Sequence, residues 1–391
     1  MITADVEYHD NYYRAEKAER EVFVYAVKPG FQFGLETPKT RINFFYTLEA
    51  YWYDDNGSVP AGEDPASDDD YIGHLFVLDT RYKPTRRITL GLNDDFYLTR
   101  DPRQSDIFDD RVDRRKYIVN HLTPLFFYDF ENRFSLGIRY RRTDLHYLER
   151  PKNDLVEHRW MFNLLYNPTR TSTFDLDYQH WTVDYDESNT SDYSADQVRL
   201  IYEKRHRHFA FDVGGGYQWR DYDQSSIEDD GTVTLLASVL WQNPPPPEGR
   251  RYLGRQFIRA KTHAYLGAER NYNNYGDTYT ADRFVLSLGH VFREKIDCRV
   301  RGWYQINDYE NYIGPDSGGR PTHRKDKTYD AYASVGYLIT KRMEISLRVG
   351  RDERDSNIRG LSYVDNYCML RYDFNFDILS RGMFSEEGAY Y

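Results

Sequence analysis

Strict alternation of apolar and polar residues, the period-2 mark of a half-buried β-strand, runs through this chain from its first residues to residue 376. In 41–53, Ile42, Phe44, Tyr46, Leu48, Ala50 and Trp52 fall on one face, and Arg41, Asn43, Thr47 and Glu49 on the other. In 172–179, Phe174, Leu176 and Tyr178 oppose Asp175, Asp177 and Gln179. In 209–220, Phe209, Phe211, Val213, Tyr217 and Trp219 oppose Asp212, Gly214, Gly216, Gln218 and Arg220. About eighteen such segments can be read, at 2–13, 22–36, 41–53, 70–82, 87–99, 115–128, 134–147, 157–166, 172–184, 194–204, 209–222, 231–242, 255–271, 279–292, 296–309, 327–339, 343–355 and 362–376. The alternation is least regular in 115–128 and 362–372, where a bulge would shift the phase.

The connections alternate as well. Short basic turns at 37–40, 83–86, 130–133, 167–171, 205–208, 244–250, 293–295 and 340–342 are separated by long acidic loops such as 54–70 and 185–192. Strands that run up and down in order, with one smooth end and one ragged end, make a closed antiparallel barrel. An even strand count brings both chain ends to the short-turn side. A sandwich would use strands of about 5–6 residues and Greek-key links. A propeller would repeat one sequence unit per blade, and no such repeat is present.

Composition places this barrel in a membrane. The net charge is −11 and the mean hydropathy −0.82, yet 17% of residues are aromatic, with 37 Tyr and 22 Phe. Disordered chains are poor in aromatics. The values agree if half of each strand is apolar and faces lipid while the other half is polar and faces a lumen. No stretch approaches the roughly 18 apolar residues of a membrane-spanning helix. Tyr51, Trp52, Tyr53, Tyr147, Trp160, Tyr166, Trp181, Trp219, Tyr222, Trp241, Tyr309 and Tyr312 lie near segment ends and fit interfacial girdles. The expected fold class is therefore all-β: a closed up-and-down antiparallel transmembrane β-barrel of about 18 strands (16–20), with short periplasmic turns and long extracellular loops, over 1–376. A periplasmic C-terminal tail, 377–391, follows. The location expected is the bacterial outer membrane, with any signal peptide removed ahead of Met1.

A charge on the lipid face costs about 2–4 kcal/mol near the midplane, so the charges of the polar face are expected to line the pore. The basic ones are Arg139, Arg141, Arg159, Arg199, Arg259, Lys261, Arg283, Arg299, Arg301 and Arg348. The acidic ones are Glu36, Glu49, Asp95, Asp175, Asp177, Glu203, Asp212, Glu269, Asp297, Asp330 and Glu344. Acids dominate the second to fifth segments, and bases are more frequent in the thirteenth to fifteenth. Two readings follow: an open polar pore with a transverse field, or a lumen closed by arginine–carboxylate pairs. About eighteen strands enclose more space than side chains alone fill, which favours the pore.

Other chemistries find little support. Cys298 and Cys368 fall three segments apart, with no CxxC or Cys/His cluster for zinc or haem, so no metal and no cofactor is expected. The acid clusters Asp68–Asp70 and Asp106, Asp109 and Asp110 lack the spacing of a calcium loop and read as a solvated acidic surface. His121, His146, His180, His263 and His290 are scattered with no evident serine partner, so no enzyme is expected and no catalytic residue is assigned. Residues 214–216 (GGG) lie mid-strand without a following helix or lysine, which is not a phosphate loop. The acidic net charge opposes nucleic-acid binding.

The opening Thr3–Arg14, the second segment 22–37 with its Pro29-Gly30, and the aromatic-rich segments after it resemble the outer-membrane β-barrel porin family known as beta-barrel porin 2. The last segment, with Leu370, Tyr372, Phe374 and Phe376 on one face, resembles the terminal aromatic signal of outer-membrane barrels, although fifteen residues, 377–391, follow it. The resemblance implies a channel passing polar solutes or glycan, linked to exopolysaccharide export. The partners it implies are lipid and lipopolysaccharide, the barrel-assembly machinery, and a periplasmic or lumen partner. The other reading is a scaffold barrel that encloses or anchors a partner protein without transport of its own.

Overall fold

A computed structural model gives the fold and describes all residues except 18, 61, 102–114, 132, 150–153, 187–191, 225–228, 244–260, 274–277, 317 and 377–391. Eighteen strands follow one another: β1 (Ile2–His9), β2 (Val22–Glu36), β3 (Thr40–Asp55), β4 (Tyr71–Tyr82), β5 (Ile88–Thr99), β6 (Tyr117–Asp129), β7 (Phe134–Tyr147), β8 (Leu155–Thr169), β9 (Ser172–Tyr185), β10 (Tyr193–His206), β11 (Phe209–Tyr222), β12 (Asp230–Asn243), β13 (Thr262–Tyr272), β14 (Thr280–Phe292), β15 (Ile296–Pro315), β16 (Pro321–Thr340), β17 (Met343–Ser356) and β18 (Tyr363–Phe374). Each pairs antiparallel with its sequence neighbours, and β1 pairs with both β2 and β18, which closes the barrel. One short 3-10 turn, Ala66–Asp69, sits in the β3–β4 loop.

Register assigns the two faces. Side chains of directly paired residues point the same way, so the line Arg141–Arg159–Trp181–Ala195 is one face and Tyr140–Trp160–His180–Asp196 the other. The face carrying Phe31, Phe33, Leu200, Val213, Leu266 and Val335 is exposed, each at 51% or more, while Glu157, Asp175, Asp177 and Gln305 on the opposite face are buried. The buried polar face also reaches across the barrel: Gln197 on β10 donates to Asn271 on β13 at 3.1 Å. It is the concave interior, and the apolar face is the lipid belt. Together they are the arrangement of a transmembrane barrel.

Several sequence expectations need correction. β6 and β18 hold a single register throughout, so no bulge breaks them. The register shifts fall instead between Asp308 and Ile313, between Leu338 and Thr340, and between Tyr166 and Thr169. β15 and β16 are longer than expected because the first of these shifts resets the alternation and hides the upper part of the hairpin. β1 stops at His9, since Asn11 turns the chain by exchanging bonds with Ala15. The turn expected at 244–250 and the start of the segment expected at 255 lie outside the described residues, as does the tail 377–391; β13 begins at Thr262.

The girdle divides. Trp52, Trp160, Tyr166, Trp219 and Trp241 are in register with the lipid face. Tyr51, Tyr53, Tyr147, Trp181 and Tyr222 alternate against them and point inward, and Tyr309 is likewise buried. Tyr51 and Tyr53 flank Trp52 in sequence, and a period of two must send them to the other side.

Gly214 and Gly216 lie on the inward face of β11 where β10 comes closest. A Cβ on Gly216 would overlap the Val198 carbonyl, and one on Gly214 would sit 2.9 Å from the Leu200 carbonyl. Gly216→Ala is therefore expected to cost about 1–3 kcal/mol, the usual range for overpacking. The check is a lower urea midpoint for the folded species on unboiled gels.

Candidate functional site: the barrel interior

The interior has three zones. The first is an aromatic collar at the loop end. Tyr97, Tyr117, Val119, Leu145, Tyr147, Leu155, Trp181, Val183 and Tyr193 form one buried cluster, and Tyr12, Val22, Val24, Tyr53 and Tyr71 another. Arginines lie over these rings: Arg159 is 4.1 Å from Trp181 and Arg220 is 4.7 Å from both Tyr193 and Tyr272. The 10–21 loop folds over this end, with Arg14 bonded to Asp352 at 2.5 Å and Arg20 to Asp55 at 2.6 Å. The acid cluster at 68–70 is used within the protein: Asp69 accepts from Tyr13 and pairs with Arg100, and Asp70 accepts the Tyr53 amide. Asp106, Asp109 and Asp110 lie outside the described residues.

The second zone is a charge network buried against β7–β10. Glu157, fully buried, takes Arg141 and Arg159, each at 2.7 Å. Arg139 donates to Asn163 at 3.0 Å, and Asn163 donates to Asp175 and Asp177 at 3.1 and 3.0 Å. Arg199 pairs with Asp177 at 2.9 Å and reaches Glu269 on β13 at 3.8 Å. Glu203 is buried in register with Asp212, which accepts from Ser238.

The third zone is the inner wall of β13–β18, where arginine and aromatic side chains below the collar are only partly buried, beside buried Ser287, Asp297 and Asp330. Arg283, Arg299, Arg301, Trp303, Tyr332, Arg348 and Tyr367 all belong to it. Asp297 holds Arg299 at 2.9 Å, and Tyr367 donates to Asp330 at 3.0 Å. Arg283 lies 4.7 Å from the Trp303 ring and Arg348 4.3 Å from Tyr332. The Glu344 carboxylate lies over Gly336.

Elsewhere, Glu49 accepts from Tyr51, and Asp95 faces His121 in register. Glu36 ends β2 exposed, Lys261 stands exposed just before β13, and Arg259 lies outside the described residues. Acids and bases are interleaved on both walls: Asp5 with Lys28 and Asp79 with Arg81 sit on the side read as acidic. On the turn side, the hydrogen bond and charge of Arg87 hold the Glu131 carboxyl below the usual carboxylate range.

Sequence reasoning missed two features. His263 and Ser287 meet at 3.1 Å because β13 and β14 bring them into neighbouring positions. The neighbouring backbone amides belong to the sheet ladder, which leaves no donor set for an oxyanion. Among the described residues no group of three or more His, Cys, Asp or Glu could hold a metal ion. The second feature is a set of polar pairs on the outer face. Tyr46 bonds His74, Tyr140 bonds His158, Tyr178 and His180 share Asp196, and Arg270 pairs with Asp282.

A closed, even-numbered antiparallel barrel with an apolar outer belt and a polar interior is a transmembrane barrel of the bacterial outer membrane, porin-like in architecture. The family described as "Putative beta-barrel porin 2" matches residues 204–376, the end of β10 to the end of β18. The resemblance noted in the sequence is thus borne out in the C-terminal half, whereas the opening residues and second strand that first carried it lie outside the matched span. Among solved structures, Pseudomonas aeruginosa OpdK with vanillate aligns at TM-score 0.49 and 10% identity, covering 95% of this chain and 97% of that one. Acinetobacter baumannii OccAB4 aligns at 0.47 and 12%, covering 95% and 96%. The FrpB iron transporter of Neisseria meningitidis aligns at 0.46 and 8%, covering 90% and 61%. No curated protein matches the chain.

Proposed function

We propose that the barrel is a water-filled outer-membrane channel for polar solutes, glycan included. The observation that carries this reading is the set of partly exposed arginines and aromatic rings on the inner wall of β13–β18. Charged side chains that remain partly wetted inside a closed barrel border water, and below the collar the ion pairs described along this wall, apart from Glu269 with Arg199 on β10, join neighbouring positions instead of bridging the bore. Asp297 and Arg299, two residues apart on β15, are the example. The candidate residues Arg299, Arg301, Arg348, Asp330 and Glu344 would then line the path. The network around Glu157 and Asp177 would stiffen the opposite wall. Export of an exopolysaccharide is the finer reading and rests on the family resemblance.

Planar-bilayer recording of the purified barrel is expected to show single-channel steps. Absence of steps would sink the channel and favour the scaffold. Arg299→Glu with Arg301→Glu changes the lumen charge by −4 and is expected to shift the reversal potential in a salt gradient toward cation selectivity. An unchanged reversal potential would remove these side chains from the path.

A further inference from the structure

One line of inward side chains runs across the half-exposed wall in unbroken register: Tyr265–Ser287–Arg301–Tyr332–Gly350–Tyr367–His9. It starts near the turn end of β13 and finishes at the last residue of β1, at the loop end. Barrel strands tilt, so a line perpendicular to them climbs the wall. The rings on and beside this line lie along the wall instead of projecting into the bore. A Cβ on Gly350 would fall inside the Tyr367 ring, one on Gly267 inside the Tyr265 ring, and one on Gly289 inside the imidazole of His263. Glycine thus seats Tyr367, Tyr265 and His263 flat, while the ring of Tyr332 lies against Arg348. At the upper end Tyr367 stacks on His9 with centroids 5.7 Å apart, and His9 meets Tyr12 at 5.3 Å.

Building on the channel reading above, we propose that this climbing line is a binding track for an uncharged pyranose oligosaccharide in transit. A pyranose has two apolar faces and a rim of hydroxyls. Its faces match flat, amphipathic rings. Its hydroxyls both donate and accept, which suits guanidinium and carboxylate groups set side by side. The wall offers Arg283, Arg299, Arg301 and Arg348 against Glu269, Asp297, Asp330 and Glu344. These charges cancel. A polyanion would be drawn by a surplus of positive charge, whereas a balanced wall hydrogen-bonds a neutral chain without trapping it. Aromatic contacts at Tyr265, Tyr332 and Tyr367 along a climbing path let a chain pass from one weak site to the next, the condition for binding and release in a pore.

The test is current block in planar bilayers, with maltohexaose and cellohexaose as neutral probes and hexagalacturonate as the charged one. At least one neutral hexasaccharide is expected to interrupt the current in a concentration-dependent way, at lower concentration than the hexauronate. Tyr265→Ala with Tyr332→Ala is expected to raise the half-blocking concentration about tenfold and leave the salt conductance equal or higher; the Tyr→Phe pair should behave as wild type. Block by the hexauronate at lower concentration, no block by either neutral probe, or equal block in the alanine pair would overturn the track. A barrel without conductance would fail the channel reading separately. The track is then read by fluorescence of the detergent-folded protein: quenching by maltohexaose or cellohexaose that disappears in Trp303→Phe keeps it, and no quenching by either removes it.

Discussion

Glu157→Ala is expected to lower the stability of the folded barrel by about 3–5 kcal/mol, the cost of leaving buried charge without its partner. Glu157 has no exposed surface, and both Arg141 and Arg159 point at its carboxylate. Arg159 cannot escape to water, because it is itself buried and lies over Trp181. Removing the carboxylate leaves two guanidinium groups facing each other in register across β7 and β8. Glu157→Gln keeps an acceptor but not the charge and should fall between wild type and alanine. Replacing Arg141, Glu157 and Arg159 together by Met, Leu and Met should recover much of the loss, since an apolar trio of similar volume leaves no buried charge and avoids the desolvation cost. Urea titration of the folded species in detergent micelles orders the four proteins. Equal midpoints for wild type and Glu157→Ala would mean that water enters the network and screens it.

Much of the barrel is legible from residues alone, and the reasons are local. β2, β7 and β11 run over the same residues in sequence and structure, because their alternation is unbroken and a short turn closes at least one end. The two free cysteines, three strands apart on β15 and β18, were also placed correctly. What alternation cannot show is phase across an interruption. The shift between Asp308 and Ile313 inserts residues on one side of the β15–β16 pair, so the upper hairpin reads as loop. Nor can it show partners beyond the next strand. Gln197 with Asn271 and Arg199 with Glu269 join β10 to β13, three strands apart, which no pattern within one strand records. The inward collar was misread for a related reason: Tyr is equally at home facing an interface and facing a packed interior, and its side is decided by strand phase alone.

Leu200→Arg is expected to destabilise the membrane-inserted barrel by about 2–4 kcal/mol, the cost of a cation near the midplane of the lipid face. Leu200 is 55% exposed and sits between Val198 and Tyr202 on the outer side of β10. Its paired neighbours are Leu176 and Gly215, which offer no counter-charge. Ser334→Glu provides the contrast. Ser334 is half-buried on the inner wall and stands in register between Arg299 and Arg348. A carboxylate there meets water and two arginines, and stability should change by no more than about 0.5 kcal/mol. Folding titrations into bilayer vesicles measure both. The two faces differ by one residue of phase, so the contrast tests the register directly: a costly Ser334→Glu beside a cheap Leu200→Arg would mean that the faces had been assigned the wrong way round, and small costs for both that the apolar face is not in lipid.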